Sequence, residues 1–264
     1  MELQLLLVFV IGITLVQSGT SPKLIYPLCD VSGSYEIKEK EDGIYPTLTD
    51  CFLVDTGERY TSSARHKAIF FDGTSDSYVN VEIPSGMIPS DEVGFSLYVK
   101  PILTTGTIFY YKADGSSSSK VAQIKLYFDA DNMLILQLMK SNGDVVKTVN
   151  GGPLETDEWS LVQFGYNRGG RVDLRVNGQL QRVNAPSGSF LTPGEVFIGS
   201  AVGPSEFFQG AATCLLVFDK RNDFPSNSET ADECKNSNDW GAKPGNGKFS
   251  SVTFHDSTWT VGMS

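Results

Sequence analysis

Arg171-Val172-Asp173-Leu174-Arg175-Val176-Asn177-Gly178 decides the fold. Successive side chains of an extended chain point to opposite faces. Val172, Leu174 and Val176 are therefore placed inward, and Arg171, Asp173 and Arg175 in water. Asn177 and Gly178 tolerate the positive φ of a type I′ turn, so the strand is predicted to fold straight back through residues 179–183 as a hairpin. The same arithmetic recurs upstream. Ile124, Leu126 and Phe128 alternate with Lys125 and Tyr127, the chain turns at residues 129–132 and returns through 133–139, and Asn142-Gly143 marks another reversal. Further strands are expected at 78–83, 94–100, 107–112, 159–166, 196–199 and 211–218. Apolar spacing at helical period is almost absent between residues 69 and 219. About a dozen short strands at this spacing predict a mostly β chain, an antiparallel sandwich of two packed sheets.

The flanks differ from this body. Residues 5–16 are apolar apart from Gly12 and Thr14, and small and polar residues follow, the pattern of a signal peptide over residues 1–18. Val16 and Ser18 fit the cleavage rule, although the preceding segment carries Glu2 and no Lys or Arg. The run is shorter than the roughly 20 apolar residues that span a bilayer, and no later segment reads as an anchor. Residues 19–67 read as an irregular lead-in, pinned by a disulfide and packed on the sandwich, 68–220 as the sandwich, and 221–264 as an extension. In that extension Ser228 caps a short helix carrying Glu229, Asp232 and Glu233, and Trp240, Phe254 and Trp259 predict a tail that docks. The serines at 116–119 read as a mobile hairpin tip.

Cys29, Cys51, Cys214 and Cys234 in an exported chain predict two disulfides. Pairing Cys29 with Cys51 and Cys214 with Cys234 closes short loops and is preferred, with all three connectivities left open. The formal charge of -10 argues against nucleic acid and anionic membranes as partners and suits solubility, calcium or a basic protein. No Asn-x-Ser/Thr sequon is present, so N-glycosylation is not expected.

Read in order, Phe71-Asp72-Gly73 with Tyr78-Val79-Asn80-Val81, Phe95 to Lys100 and Thr107-Ile108-Phe109-Tyr110 resemble the first core strands of a known family. Glu158-Trp159, running through Val162, Phe164 and Tyr166 into the opening hairpin, resembles its tryptophan strand. Val196-Phe197-Ile198-Gly199 and Leu215-Leu216-Val217-Phe218 resemble its closing strands. The family is that of laminin G-like and pentraxin-like domains of the concanavalin A-like lectin-glucanase superfamily. The resemblance implies a jelly-roll sandwich. Ser160 stands where many members have a His, and the segment after Phe218 is longer and holds a cysteine.

Glycan-cleaving enzymes share this fold, so a catalytic reading depends on the residues themselves. Retaining glycosidases need two carboxyl groups about 5 Å apart, which sandwich glycanases supply through Glu-x-Asp-x-Glu. The nearest approach is Glu155-Thr156-Asp157, read as a solvated turn before the Trp159 strand. There is no Gly-x-Ser-x-Gly, His-Glu-x-x-His or Cys-x-x-Cys, and His66 and His255 fall in the polar flanks as surface residues. Calcium is the one ion carried forward, with Asp129 and Asp131 on a hairpin tip as candidate ligands that fail the EF-hand pattern. Tyr110, Tyr111 and Tyr166 are read as strand packing in preference to sugar stacking. No catalytic residue is assigned and ligand-binding residues are left open. The expectation is a secreted, non-enzymatic extracellular protein that binds glycan or matrix protein or builds a matrix, mineral-associated on the argument of charge. A glycoside hydrolase with an altered motif is the alternative.

Overall fold

The structure, a computed structural model, describes residues 24–26, 69–75, 77–83, 85–86, 88–201, 207–221, 224 and 252–255. Its strands are β1 (Leu24–Tyr26), β2 (Ile69–Asp72), β3 (Tyr78–Ile83), β4 (Glu92–Pro101), β5 (Thr107–Ala113), β6 (Gln123–Phe128) and β7 (Met133–Met139). They continue with β8 (Val145–Pro153), β9 (Ser160–Asn167), β10 (Arg171–Val176), β11 (Gln179–Asn184), β12 (Gly194–Ile198), β13 (Gln209–Phe218) and β14 (Val252–His255). The first sheet runs β1-β13-β4-β9-β10-β11, with β2 also on β13; the second runs β14-β3-β12-β5-β6-β7-β8. All named pairings are antiparallel, and the described residues contain no helix.

The opening hairpin forms as its chemistry dictates. Val176 pairs Gln179 across Asn177 at φ 48° and Gly178 at φ 87°, the left-handed conformations a type I′ turn requires. Asn177 does a second job, accepting a hydrogen bond from Leu161 N at 2.9 Å and donating from Nδ2 to Ser160 Oγ at 3.2 Å. Ser160, the departure from the family pattern, thereby ties the tryptophan strand to this turn.

The core lies between the sheets. Phe95 of β4, Phe164 of β9 and Phe109 of β5 are fully buried, with centroids 4.8, 4.9 and 5.5 Å apart, so one aromatic cluster bridges both sheets. Rings at such distances attract beyond their area burial, by about 0.5–1.5 kcal/mol a pair.

Two buried tyrosines give the core a pH response. The Tyr111 hydroxyl donates to Leu191 O and that of Tyr166 to Gly188 O, both at 2.8 Å. Burial pushes both pKa values above the ordinary tyrosine range. A raised folded-state value means stability fully present below the unfolded pKa of about 10 and lost as pH climbs through the folded values. Denaturant midpoints measured from neutral pH to about pH 11 should fall above pH 10, and Tyr111→Phe should show a shallower fall.

The structure corrects several expectations. Asp173, assigned to water, is 1% exposed, because the chain leaving β13 crosses the outer face of the first sheet. Gly94 and Gly165 are register partners on β4 and β9. A Cβ at Gly165 would sit 2.8 Å from Arg221 O, and one at Gly94 would meet Lys220 O and the Phe224 ring. Bare of side chains, the two glycines let this backbone lie flat on the sheet. Arg221 then reaches Asp173 at 3.5 Å, and Arg182 Nε and Nη2 donate to its two carboxylate oxygens at 2.7 and 3.0 Å. Each flank also contributes a strand, β1 to the first sheet and β14, which holds His255, to the second. Segments of three and four residues are too short for alternation to register. The serine run is tied down as well: Ser117 N donates to Ser141 Oγ at 2.8 Å, and Ser141 Oγ donates back to Ser117 O at 3.3 Å. The signal segment, the expected helix after Ser228, His66, Cys29, Cys51 and Cys234 lie outside the described residues.

Candidate functional site

Alternation sorts the second sheet into two faces. Val79 and Val81, Phe109 and Tyr111, Leu126 and Phe128, and Val196 and Ile198 point into the core. The intervening residues point outward, and four successive strands each contribute an aromatic ring: Tyr78 on β3, Phe197 on β12, Tyr110 on β5 and Tyr127 on β6. All four are part-exposed. Tyr78 and Phe197 stand 6.1 Å apart and Phe197 and Tyr110 6.3 Å, while Lys125 Nζ lies 4.6 Å over the Tyr127 ring. Register aligns Asn80, Phe197, Tyr110, Lys125 and Gln137 in one row across five strands.

Polar groups flank this stripe in fixed orientations. The Tyr110 hydroxyl donates to Gln123 Oε1 at 2.8 Å, and Gln123 Nε2 donates to the carbonyls of Lys140 and Ser141 at 3.0 and 3.1 Å. Burial raises the Tyr110 pKa above its ordinary value. Asn80 Oδ1, beside Phe197, is buried beneath the surface of the stripe and has no hydrogen-bond partner. Beyond Gln123 the stripe opens into a cleft of about 430 Å³ lined by Lys112, Asp114, Ser116, Gln123 and Ser141 among others. Flat rings with amides, hydroxyls and one lysine at their edges can hold a ligand that is apolar on its faces and hydroxylated on its rim.

The stripe was not read from the sequence. Tyr111 and Tyr166 are core residues as expected, but Tyr110 points the other way. The usable signal was period 2: Tyr110 between Phe109 and Tyr111, Phe197 between Val196 and Ile198, Tyr127 between Leu126 and Phe128. Such a triplet forces its middle ring outward once its neighbours face the core.

The other candidates fall elsewhere. Asp129 Oδ1 accepts from Asp131 N at 3.0 Å and Met133 N at 2.9 Å, which shapes the β6–β7 turn, and Asp131 is exposed. Among the described residues no three His, Cys, Asp or Glu side chains are grouped to hold a metal. Asp129→Ala should cost about 1 kcal/mol by urea denaturation, and Asp131→Asn under about 0.5, with or without millimolar calcium. A calcium-dependent rise in melting lost in either variant would place the ion at this loop. Glu155 and Asp157 lie exposed between β8 and β9, where Asp157 N donates to Pro101 O at 2.8 Å. Cys214 is buried on β13 at φ 57°.

Comparison with known proteins bears on the fold. A search of curated proteins finds no match. Among solved structures, a heptameric SAP-like pentraxin from Limulus polyphemus is similar at 19% identity and TM-score 0.47, over 62% of this chain and 79% of that one. Domain 4 of AbnA, an extracellular GH43 arabinanase from Geobacillus stearothermophilus solved with arabinotriose, is similar at 19% identity and TM-score 0.43, over 64% of this chain and 76% of that one. The CBM40 of a Ruminococcus gnavus sialidase bound to sialyllactose gives 11% identity and TM-score 0.45, over 62% and 94%. A laminin G-type family profile matches residues 72–221, more than half of the chain, and with the two-sheet sandwich in place the chain belongs to the concanavalin A-like lectin/glucanases superfamily.

Proposed function

We propose that this chain is a secreted extracellular glycan-binding protein that works without catalysis, free in the surrounding fluid or deposited in a matrix. The observation that carries the reading is the row of part-exposed rings on four adjacent strands, bordered by oriented amides. An outward aromatic on a soluble sheet costs hydration free energy unless something covers it, and a sugar ring suits the position because its C–H face packs on an arene while its hydroxyls reach the flanking groups. Export is supported by the apolar stretch at residues 5–16.

Glycan capture tests the reading. Purified protein applied to immobilised polysaccharides and oligosaccharides should be retained by at least one sugar class, and prolonged incubation should release no reducing ends. Retention by none would contradict the binding reading; steady release of reducing ends would favour hydrolysis. Expression in a secretory host should yield a mature N-terminus at Gly19 by mass spectrometry, and an intracellular product retaining Met1 would contradict export.

A further inference from the structure

Resting on that reading, we infer that the stripe takes a neutral, extended polysaccharide laid across the strands and held along its length, in place of a chain end or a sulfated glycan. Length comes from the register. Asn80, Phe197, Tyr110, Lys125 and Gln137 occupy consecutive strands, and four inter-strand steps span roughly 20 Å, several times the width of one sugar ring. The rings advance from strand to strand at 6.1 and 6.3 Å, so a ligand stacking on successive rings must run across the strands. A terminal sugar is held instead by a closed pocket that surrounds it. Here the cleft beside Gln123 opens off the stripe where β5 ends and β6 begins, and Lys112, Asp114 and Ser116 in its lining add polar groups beside the row.

Neutrality comes from charge. Lys112 faces Glu195 as its register partner on β12, which cancels one pair and leaves Lys125 as the cation within the row. A single lysine in a chain of net charge -10 cannot offset the repulsion a polyanion meets on approach.

The test uses the full mature chain with immobilised neutral polysaccharides (glucans, mannans, xylans, chitin) and with heparin and hyaluronan, competed by oligomers of whichever polymer retains it. Retention by a neutral polymer is expected, with a hexasaccharide competing at least about tenfold better than the disaccharide and heparin not competing. Phe197→Ala and Gln137→Ala, two residues of one row on strands apart, should each weaken the hexasaccharide; unaltered melting confirms that both variants fold. A monosaccharide competing as well as the hexasaccharide would overturn the extended site and leave glycan binding standing. Retention by heparin or hyaluronan alone would overturn neutrality. Failure to bind any sugar would remove the underlying reading and this inference with it.

Discussion

Asp173→Ala should destabilise the protein by about 3–5 kcal/mol, enough to unfold a marginal variant at physiological temperature. Asp173 is 1% exposed and shared by two guanidinium groups, Arg182 through a two-point fork and Arg221 at 3.5 Å. The Arg221 side chain is itself only 5% exposed. Removing the carboxylate therefore strands a buried cation, which costs far more than the pair contributes relative to an apolar replacement. The loss should exceed that from Arg182→Ala, because the Arg182 side chain is 44% exposed and water replaces its partner. Arg221 also donates its backbone N–H to Glu92 Oε1 at 3.0 Å, so loosening it should free the crossing segment from the Gly94 and Gly165 trough. Guanidinium denaturation of the two variants measures the order; an Asp173→Ala loss below about 1 kcal/mol would show that this cluster does not hold the segment to the sheet.

The second large effect concerns binding. Tyr110→Ala combined with Phe197→Ala should lower affinity for the captured sugar by about ten- to a hundredfold, since each ring contributes on the order of 1 kcal/mol of stacking. The rings stand 6.3 Å apart, so the double loss should differ from the sum of the single ones. Stability should change much less than for a core phenylalanine, because both rings are part-exposed and neither belongs to the Phe95, Phe109 and Phe164 cluster. Tyr110→Phe separates two roles: it keeps the ring and removes the hydrogen bond to Gln123 Oε1. An intermediate loss assigns part of the affinity to the orientation of Gln123.

The body of the fold was legible because alternation and turn chemistry agree. Val172 to Gly178 specifies a strand, its face and its reversal within seven residues, and β6 with β7 repeats the logic. The buried Asp173 was not legible. It sits at a position that alternation gives to water, and what covers it arrives from Arg221, almost fifty residues on, through two glycines whose role is visible only when β4 and β9 lie side by side. The strands in the flanks were missed because so few residues show no period. The stripe was half legible: Tyr110, Phe197 and Tyr127 each announced a direction between two core residues, but the row exists only once strand order places β12 between β3 and β5, and that order follows from long-range pairing.

Backbone chemical-shift mapping of isotope-labelled protein, titrated with a sugar it captures, tests the central claim most directly. Shifts concentrated in Tyr78–Ile83, Thr107–Ala113, Gln123–Phe128 and Gly194–Ile198, with the opposite sheet unmoved, are the predicted result. Shifts confined to β10 and β11 or to the acidic turn at Glu155, with Tyr110 and Phe197 unperturbed at saturation, would contradict it.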